Sequence, residues 1–332
     1  MADIILGIAT SHTPLLTLTP EQWQHRADAD YANKALNMSD GRLIPYEQVL
    51  RELGPRSADV ISAEILAAKE RGCSDALDRL GDALVQAAPD VVIIVGDDQR
   101  ELFSAANQPA IAIFHGAEII TSDKYGNEES ADWVKAMGRG YMMDEAHSVP
   151  GSPDFALELI QGLMNENFDV ATSARVENPK EAGFGHAYGF IIKRLFRGRT
   201  IPVVPVLLNT YYGPNVPTAA RCHDLGRALA RVIAASPSKL RVAVIASGGL
   251  SHFVVDEALD HLVLDAVASG RHEALRSIPR GALNSGSSEI LNWIVTAGAV
   301  EALPLRSKEY LPLYRTPAGT GVGAGFAVWG HA

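Results

Sequence analysis

Ala88 to Phe103 reads APDVVIIVGDDQRELF, and this stretch constrains the chain more than any other. Val91 to Val95 is an unbroken apolar run without polar alternation. Such a run suits a strand covered on both faces, as strands of the parallel sheets in α/β proteins are. It breaks at once into Gly96-Asp97-Asp98-Gln99. Ligands of open α/β sheets sit at the carboxyl ends of the strands, so a polar cluster directly after a buried strand marks where chemistry is expected. A strand-to-helix loop with aspartate as helix cap would use the same residues, and one such loop alone does not separate the two readings.

The pattern recurs along the chain. Ile4 to Ile8 empties into Ala9-Thr10-Ser11-His12, and Val242 to Ala246 into Ser247-Gly248-Gly249-Leu250-Ser251-His252. A glycine-flanked His186 precedes the apolar Phe190-Ile191-Ile192. Pro20 to Trp23 looks like a helix start, and Ser57 to Arg71 and Cys73 to Ala87 carry apolar residues at helical spacing. Helices are also predicted over Pro153 to Met164, Thr218 to Ala235, Asp256 to Ala268 and Glu289 to Ala297. Ala110 to Phe114 reads as a strand, Phe168 to Ala171 as the start of an edge-like one, and Gly325 to Trp329 as the last. Pro202 and Pro205 predict an edge or bulged position for Ile201 to Leu208. The glycine-rich Ala318 to Gly325 reads as tight turns and close backbone packing, because a strand rather than a helix follows it. The expected fold class is α/β, with a mostly parallel central sheet covered by helices on both faces and a site at the carboxyl ends of its strands. With no internal repeat or linker, one domain over residues 1–332 is expected, with a helical insertion at about 20–87 and a surface excursion at about 122–150 that helps cover the site.

Composition narrows the function. A formal charge of -10 argues against nucleic-acid or anionic-membrane partners, which favour basic patches. Two distant cysteines, Cys73 and Cys222, give no disulfide framework, so the cytoplasm is the expected compartment. The first residues lack a basic leader region, and no apolar run approaches the roughly 18 residues of a membrane span. HExxH, G-x-S-x-G and P-loop motifs are absent.

Loops bearing His12, Asp97-Asp98-Gln99, His186 and His252 are expected to converge at one sheet edge. Glu289 sits where a helix start after Asn284-Ser285-Gly286-Ser287-Ser288 is expected, either as an acid complementing the helix dipole or as a metal ligand. Histidine and carboxylate donors with open positions suit non-haem Fe(II), and hydrolytic zinc is the other choice.

Taken in order, Gly7 to His12, Val91 to Gln99, Gly185-His186, Ser247 to His252, Ser288-Glu289 to Trp293 and Pro317-Ala318 resemble the class III extradiol ring-cleavage dioxygenases, the group of the protocatechuate 4,5-dioxygenase β chain. The Trp23 to Leu80 insertion, Asp97 to Glu101, Ser247 to Phe253 and Tyr314 to Gly321 look most like the single-chain branch acting on gallate and 3-O-methylgallate. The resemblance implies Fe(II) as cofactor, with His12 and Glu289 as ligands, His252 as catalytic base and His186 as a second active-site histidine. It also implies a small aromatic substrate and O2 as partners and a place in aromatic compound catabolism. Gln99 stands where the protocatechuate enzymes carry histidine, which leaves the third ligand open among Gln99, Asp98 and a histidine such as His186. Arg315, Thr316, Tyr212 and Tyr314 are the expected substrate contacts, and Arg100 is an alternative partner for Asp97 or Glu101. A metal-dependent hydrolase or lyase, or a non-catalytic binding protein on the same fold, are the alternative functions. A homo-oligomer is compatible with surface helices over Ser57 to Ala87.

Overall fold

The computed structural model describes residues 1–56 and 58–331. In chain order the regular elements begin with β1 (Asp3–Thr10), α1 (Gln24–Ala32), the small pair β2 (Leu36–Asn37) and β3 (Leu43–Ile44), α2 (Tyr46–Leu53) and α3 (Ala63–Ala87). The middle of the chain holds β4 (Val91–Asp97), β5 (Ile111–Phe114), β6 (Glu118–Ile120), α4 (Asp132–Gly140), β7 (Ser148–Pro150), α5 (Pro153–Asn165), β8 (Ala171–Ser173), α6 (His186–Leu195) and β9 (Val203–Leu208). The last third runs α7 (Ala219–Ala235), β10 (Arg241–Ser247), α8 (Glu257–Ser269), α9 (His272–Arg276), α10 (Ile290–Ala299), β11 (Leu305–Tyr314) and β12 (Gly321–Gly330).

Eight strands form one sheet in the order β11-β12-β1-β10-β4-β9-β5-β8. Its centre, β1-β10-β4-β9, is parallel, with antiparallel pairing at β11-β12, β12-β1 and β9-β5. The unbroken apolar run of β4 has the cause expected of it. Val91, Ile93 and Val95 join the core on one face with α5, α7, α8 and α10, while Val92 and Ile94 join the core on the other with α3 and α6. Successive strand residues point to opposite faces, so a strand covered twice has no position for a polar residue until it ends. Among the described residues, no helix is long and apolar enough to cross a membrane.

Several boundaries differ from the expectation. Pro20–Trp23 is a 3-10 turn leading into α1. Arg71 and Cys73 lie in one 25-residue helix, α3, begun by Ser62, whose hydroxyl accepts from the Ile65 amide. Ser57, where a helix was expected to start, lies outside the described residues. The strand holding Pro205 is internal rather than an edge; its ladder to β5 starts only at Val206, so the missing N–H of Pro205 meets no partner strand there. The glycine-rich segment is strand from Gly321 onward, paired along its length with β11, an element that the sequence reading missed. The excursion near 122–150 contains α4 and β7, which pairs with β6 just ahead of it.

Candidate metal centre

Because β1, β10 and β4 run parallel side by side, their carboxyl ends share one edge of the sheet. His12 lies two residues past β1, Asp97 is the last residue of β4, and His252 follows β10 by five residues. Glu289 closes a 3-10 turn, Ser285–Glu289, that feeds α10. His186 is the first residue of α6. The ligand atoms of His12, Asp97, His186 and Glu289 all lie within 4.8 Å of one another.

Hydrogen bonds fix how these rings face. Ser247 Oγ donates to the Ala187 carbonyl at 2.6 Å, so at its 2.9 Å contact with His12 Nδ1 the hydroxyl accepts and the imidazole donates. The other nitrogen, Nε2, is then the lone-pair atom of the neutral ring. It is buried, has no hydrogen-bond partner, and stands 3.1 Å from Glu289 Oε2. Two buried lone pairs at that separation call for a cation between them, which is the condition a metal ion meets. His186 repeats the arrangement: Nδ1 lies 2.8 Å from Glu101 Oε1, and Nε2 turns inward to 3.9 Å from Asp97 Oδ2. An imidazole held by a carboxylate on its far nitrogen is the usual outer support of a metal-ligating histidine. His252 Nδ1 donates to the Leu250 carbonyl at 2.9 Å, leaving Nε2 3.3 Å from Glu289 Oε1. The Glu289 Oε2 atom also accepts from the Gly249 amide at 2.6 Å.

Gln99 enters this cluster as a donor. Its Nε2 reaches Asp97 Oδ2 at 3.0 Å and Glu289 Oε1 at 3.4 Å. Turning the amide over would set its carbonyl against two carboxylates, so in this arrangement the side chain bridges the acids through its N–H groups. Asp98 faces away and accepts from the Leu102 and Phe103 amides at 2.8 and 3.2 Å, the loop-capping role. Glu101 is among the residues that sequence reasoning left out of the site; it follows Asp97 in a loop, where spacing does not tell which way a side chain faces. Arg100 pairs with neither acid; its guanidinium lies 4.0 Å above the Tyr212 ring.

The electrostatics are those of a nest of acids awaiting positive charge. Burial pushes the Asp97 carboxyl above its ordinary pKa, and the neighbouring Glu289 adds to the shift. Burial would raise Glu289 as well, but His252 and His12 outweigh it and hold that carboxyl well below the usual range. For His186 burial works downward, yet Glu101 first, then Asp97 and Glu289, lift the imidazole to about 10. The same contest, burial against Glu289, leaves His252 raised.

A cavity of about 210 Å³ opens onto the cluster and is lined by His12, Gln99, His186, His252 and Glu289. The surface excursion contributes Lys124, Tyr125, Met137 and Tyr141 to its wall. Of the four expected substrate contacts, only Arg315 lines it, and its guanidinium is committed to Asp30 through Nε and Nη2 at 2.7 and 3.0 Å. Thr316 bonds Thr320 at 2.8 Å, Tyr314 bonds Glu257 beneath Arg56, and Tyr212 lies under Arg100, all three away from the cavity wall. The cation that faces the cavity without a partner on its Nε is Arg26, from α1, whose Nε is buried.

Residues 60–326 match the family model described as the catalytic LigB subunit of aromatic ring-opening dioxygenase. A gallate dioxygenase of Pseudomonas putida is 28% identical over 178 residues, covering 49% of this chain and 51% of that protein. A 2,3-dihydroxyphenylpropionate/2,3-dihydroxicinnamic acid 1,2-dioxygenase of Comamonas testosteroni is 26% identical over 170 residues, 51% of this chain and 45% of that one. The enzyme of the same name from Paraburkholderia phymatum is 32% identical over 147 residues, 43% and 44% of the two chains. The chain thus spans about half the length of the curated relatives it matches.

Proposed function

The chain belongs to the family of catalytic LigB subunits of aromatic ring-opening dioxygenases, and on that premise we propose that it cleaves a catecholic ring beside its vicinal hydroxyls, inserting both atoms of O2. The observation that carries the reading is the buried, unpartnered Nε2 of His12 facing the Glu289 carboxylate across the floor of a cavity.

Fe(II) is the proposed metal. His12, His186 and Glu289 make the two-histidine, one-carboxylate set that leaves positions open for substrate and O2, with Asp97 adjoining it. His186 thereby takes the third ligand position in this proposal, and Gln99 holds the acids in position. Bound there, the ion would supply redox chemistry and lower the pKa of the substrate hydroxyls. His252 does the proton work. Its Nδ1–H is occupied by the Leu250 carbonyl, so Nε2 is the basic atom that takes a phenolic proton and later returns it.

At about 210 Å³ the cavity is smaller than the roughly 300–1,000 Å³ of sites for drug-sized ligands and suits a single ring. Arg26 is the proposed anchor for a substrate carboxylate, since a guanidinium pairs carboxylates in bidentate fashion and this one has a spare buried N–H. The names of the relatives, gallate and dihydroxyphenylpropionate enzymes, likewise denote carboxylated catechols. The test is anaerobic loading with Fe(II) followed by O2 uptake on gallate, protocatechuate, 3-O-methylgallate, 2,3-dihydroxyphenylpropionate and catechol. Uptake with a ring-opened product is expected from at least one carboxylated catechol; no uptake on any of the five overturns the reading.

A further inference from the structure

A second group of imidazoles and a carboxylate gathers on helices that take no part in the cavity. Helices α7 and α10 cross at glycines: a methyl group at Gly226 would lie 2.0 Å from the Val295 carbonyl oxygen, and one at Gly298 would lie 2.4 Å from that of His223. Only glycine permits such an approach of backbone to backbone. Its consequence is that the chain leaving α10 carries Glu301 to His223 on α7. Helix α8 stops at Gly270, which takes a left-handed φ of 64°, and the chain turns so that His272 opens α9 beside the same carboxylate.

His223 Nε2 stands 3.1 Å from Glu301 Oε1, and His272 Nδ1 stands 3.9 Å from that same oxygen. The two ring centroids are 5.0 Å apart. Both nitrogens are buried and neither has a hydrogen-bond partner, although His223 is only 1% exposed. Ligand atoms around a tetrahedral zinc ion, each about 2.0–2.1 Å from it, lie roughly 3.3 Å from one another, and the two spacings bracket that value. Two arginines border the group without filling it. Arg276 Nη1 is 3.4 Å from His223 Nδ1 but bonds Asp224 Oδ1 at 2.5 Å, and its Nε lies 3.5 Å from Glu273. Arg227 Nε approaches the other oxygen of Glu301, Oε2, at 3.6 Å. Oε1 is left facing the two imidazoles.

We propose that His223, His272 and Glu301 form a second metal site, for a borderline divalent cation such as Zn²⁺, that fastens α7, α9 and the end of α10 together. Imidazole and carboxylate donors suit this class of ion, and the partly exposed side of His272 and Glu301 leaves room for water as a further ligand. The site shares no residue with the cluster at the sheet edge, so it stands or falls independently of the proposed activity.

The experiment is equilibrium dialysis of the full chain against Zn²⁺ with metal analysis, repeated with Co²⁺ to read the visible spectrum of the bound ion. One equivalent should be lost in His272→Ala and weakened in Glu301→Gln by at least the roughly 10-fold that removal of an outer support already costs. That equivalent should persist in His12→Ala, and its loss should lower the thermal midpoint measured in Zn²⁺ without moving the midpoint measured in chelator. Because His272 and Glu301 are partly exposed, these variants test the site even where a substitution of the buried His223 prevents folding. An unchanged Zn²⁺ stoichiometry in His272→Ala, or a Co²⁺ spectrum indifferent to it, overturns the proposal.

Discussion

His12 Nε2 lies 3.1 Å from Glu289 Oε2, with the imidazole proton held on the far side of the ring by Ser247. That Nε2 has no hydrogen-bond partner among the described residues, and Asp97, Glu101 and Glu289 gather beside it. Metal binding is therefore expected to depend on both partners. His12→Ala and Glu289→Gln should each fail to retain a stoichiometric divalent ion after gel filtration, with circular dichroism unchanged. Retention of a full equivalent in either variant would remove these residues from the ligand set.

The orientation of the Gln99 amide separates two ligand sets by measurement. Gln99 supports Asp97 and Glu289 through its N–H groups, so Gln99→Ala should weaken metal binding by about 10- to 100-fold, the cost of losing an outer support. His186→Ala should abolish binding outright. Equal losses from the two substitutions would return Gln99 to the position of a direct ligand.

Arg26 offers the cavity an N–H that no protein group accepts. A charged hydrogen bond contributes about 1.5–3 kcal/mol, so Arg26→Ala should raise KM for a carboxylated catechol roughly 10- to 100-fold. Catechol itself, lacking the carboxylate, should show little change. A uniform effect on both substrates would mean that Arg26 acts on the fold rather than on the substrate.

The loop carrying His252 is tied down by Asp260 on α8. Its carboxylate accepts from the Ser251 amide, the Ser251 hydroxyl and the Tyr310 hydroxyl, each at 2.7 Å. Burial lifts this carboxyl to about 6 against the pull of those three donors. A carboxyl raised on folding binds protons more readily in the folded chain, so its contribution to stability is full below the ordinary carboxylate pKa and is lost as pH rises through about 6. Asp260→Asn should remove that slope from urea-unfolding measurements taken between pH 4 and 7. It should also cost about 1–3 kcal/mol or more, because the Ser251 and Tyr310 hydroxyls share Oδ2 and both lose that acceptor when an amide NH2 replaces it. An unaltered slope would place the pH dependence elsewhere.

Much of this arrangement is legible in the sequence. The runs Ile4–Ile8, Val91–Val95 and Val242–Ala246 announce strands because a strand covered on both faces tolerates nothing polar, and where polarity returns, the strand has reached the sheet edge. Other parts were hidden for physical reasons. Leu305 to Tyr314 is an edge strand with exposed Arg306, Ser307 and Lys308 and a half-buried Glu309, so it carries no strong apolar signal. Its partner β12 is glycine-rich because a side chain at Gly323 would lie 1.9 Å from Asp260 Oδ2, a close approach that imitates a turn in the sequence. Arg315 looked like a substrate contact because its partner, Asp30, lies 285 residues away in the chain. Arg26 carried no sequence signal at all, since only folding brings α1 to the cavity wall.

The position of the His252 ring depends on a glycine that carries no chemistry. A methyl group at Gly286 would lie 2.0 Å from His252 Cδ2 and 2.5 Å from Nε2, so Gly286→Ala must displace the proposed base. The proposed metal ligands have other supports, in Ser247 for His12 and Glu101 for His186, and should keep their ion. If His252 is the base, His252→Ala should lower kcat by about 10²–10⁴-fold, the range that general acid–base catalysis supplies. Gly286→Ala should then reproduce most of that loss at full metal occupancy. Residues acting through one group are not additive, so the double variant should be no slower than His252→Ala alone. Additive losses would show that Gly286 serves turnover by another route, and loss of metal in His252→Ala would merge the base with the ligand set.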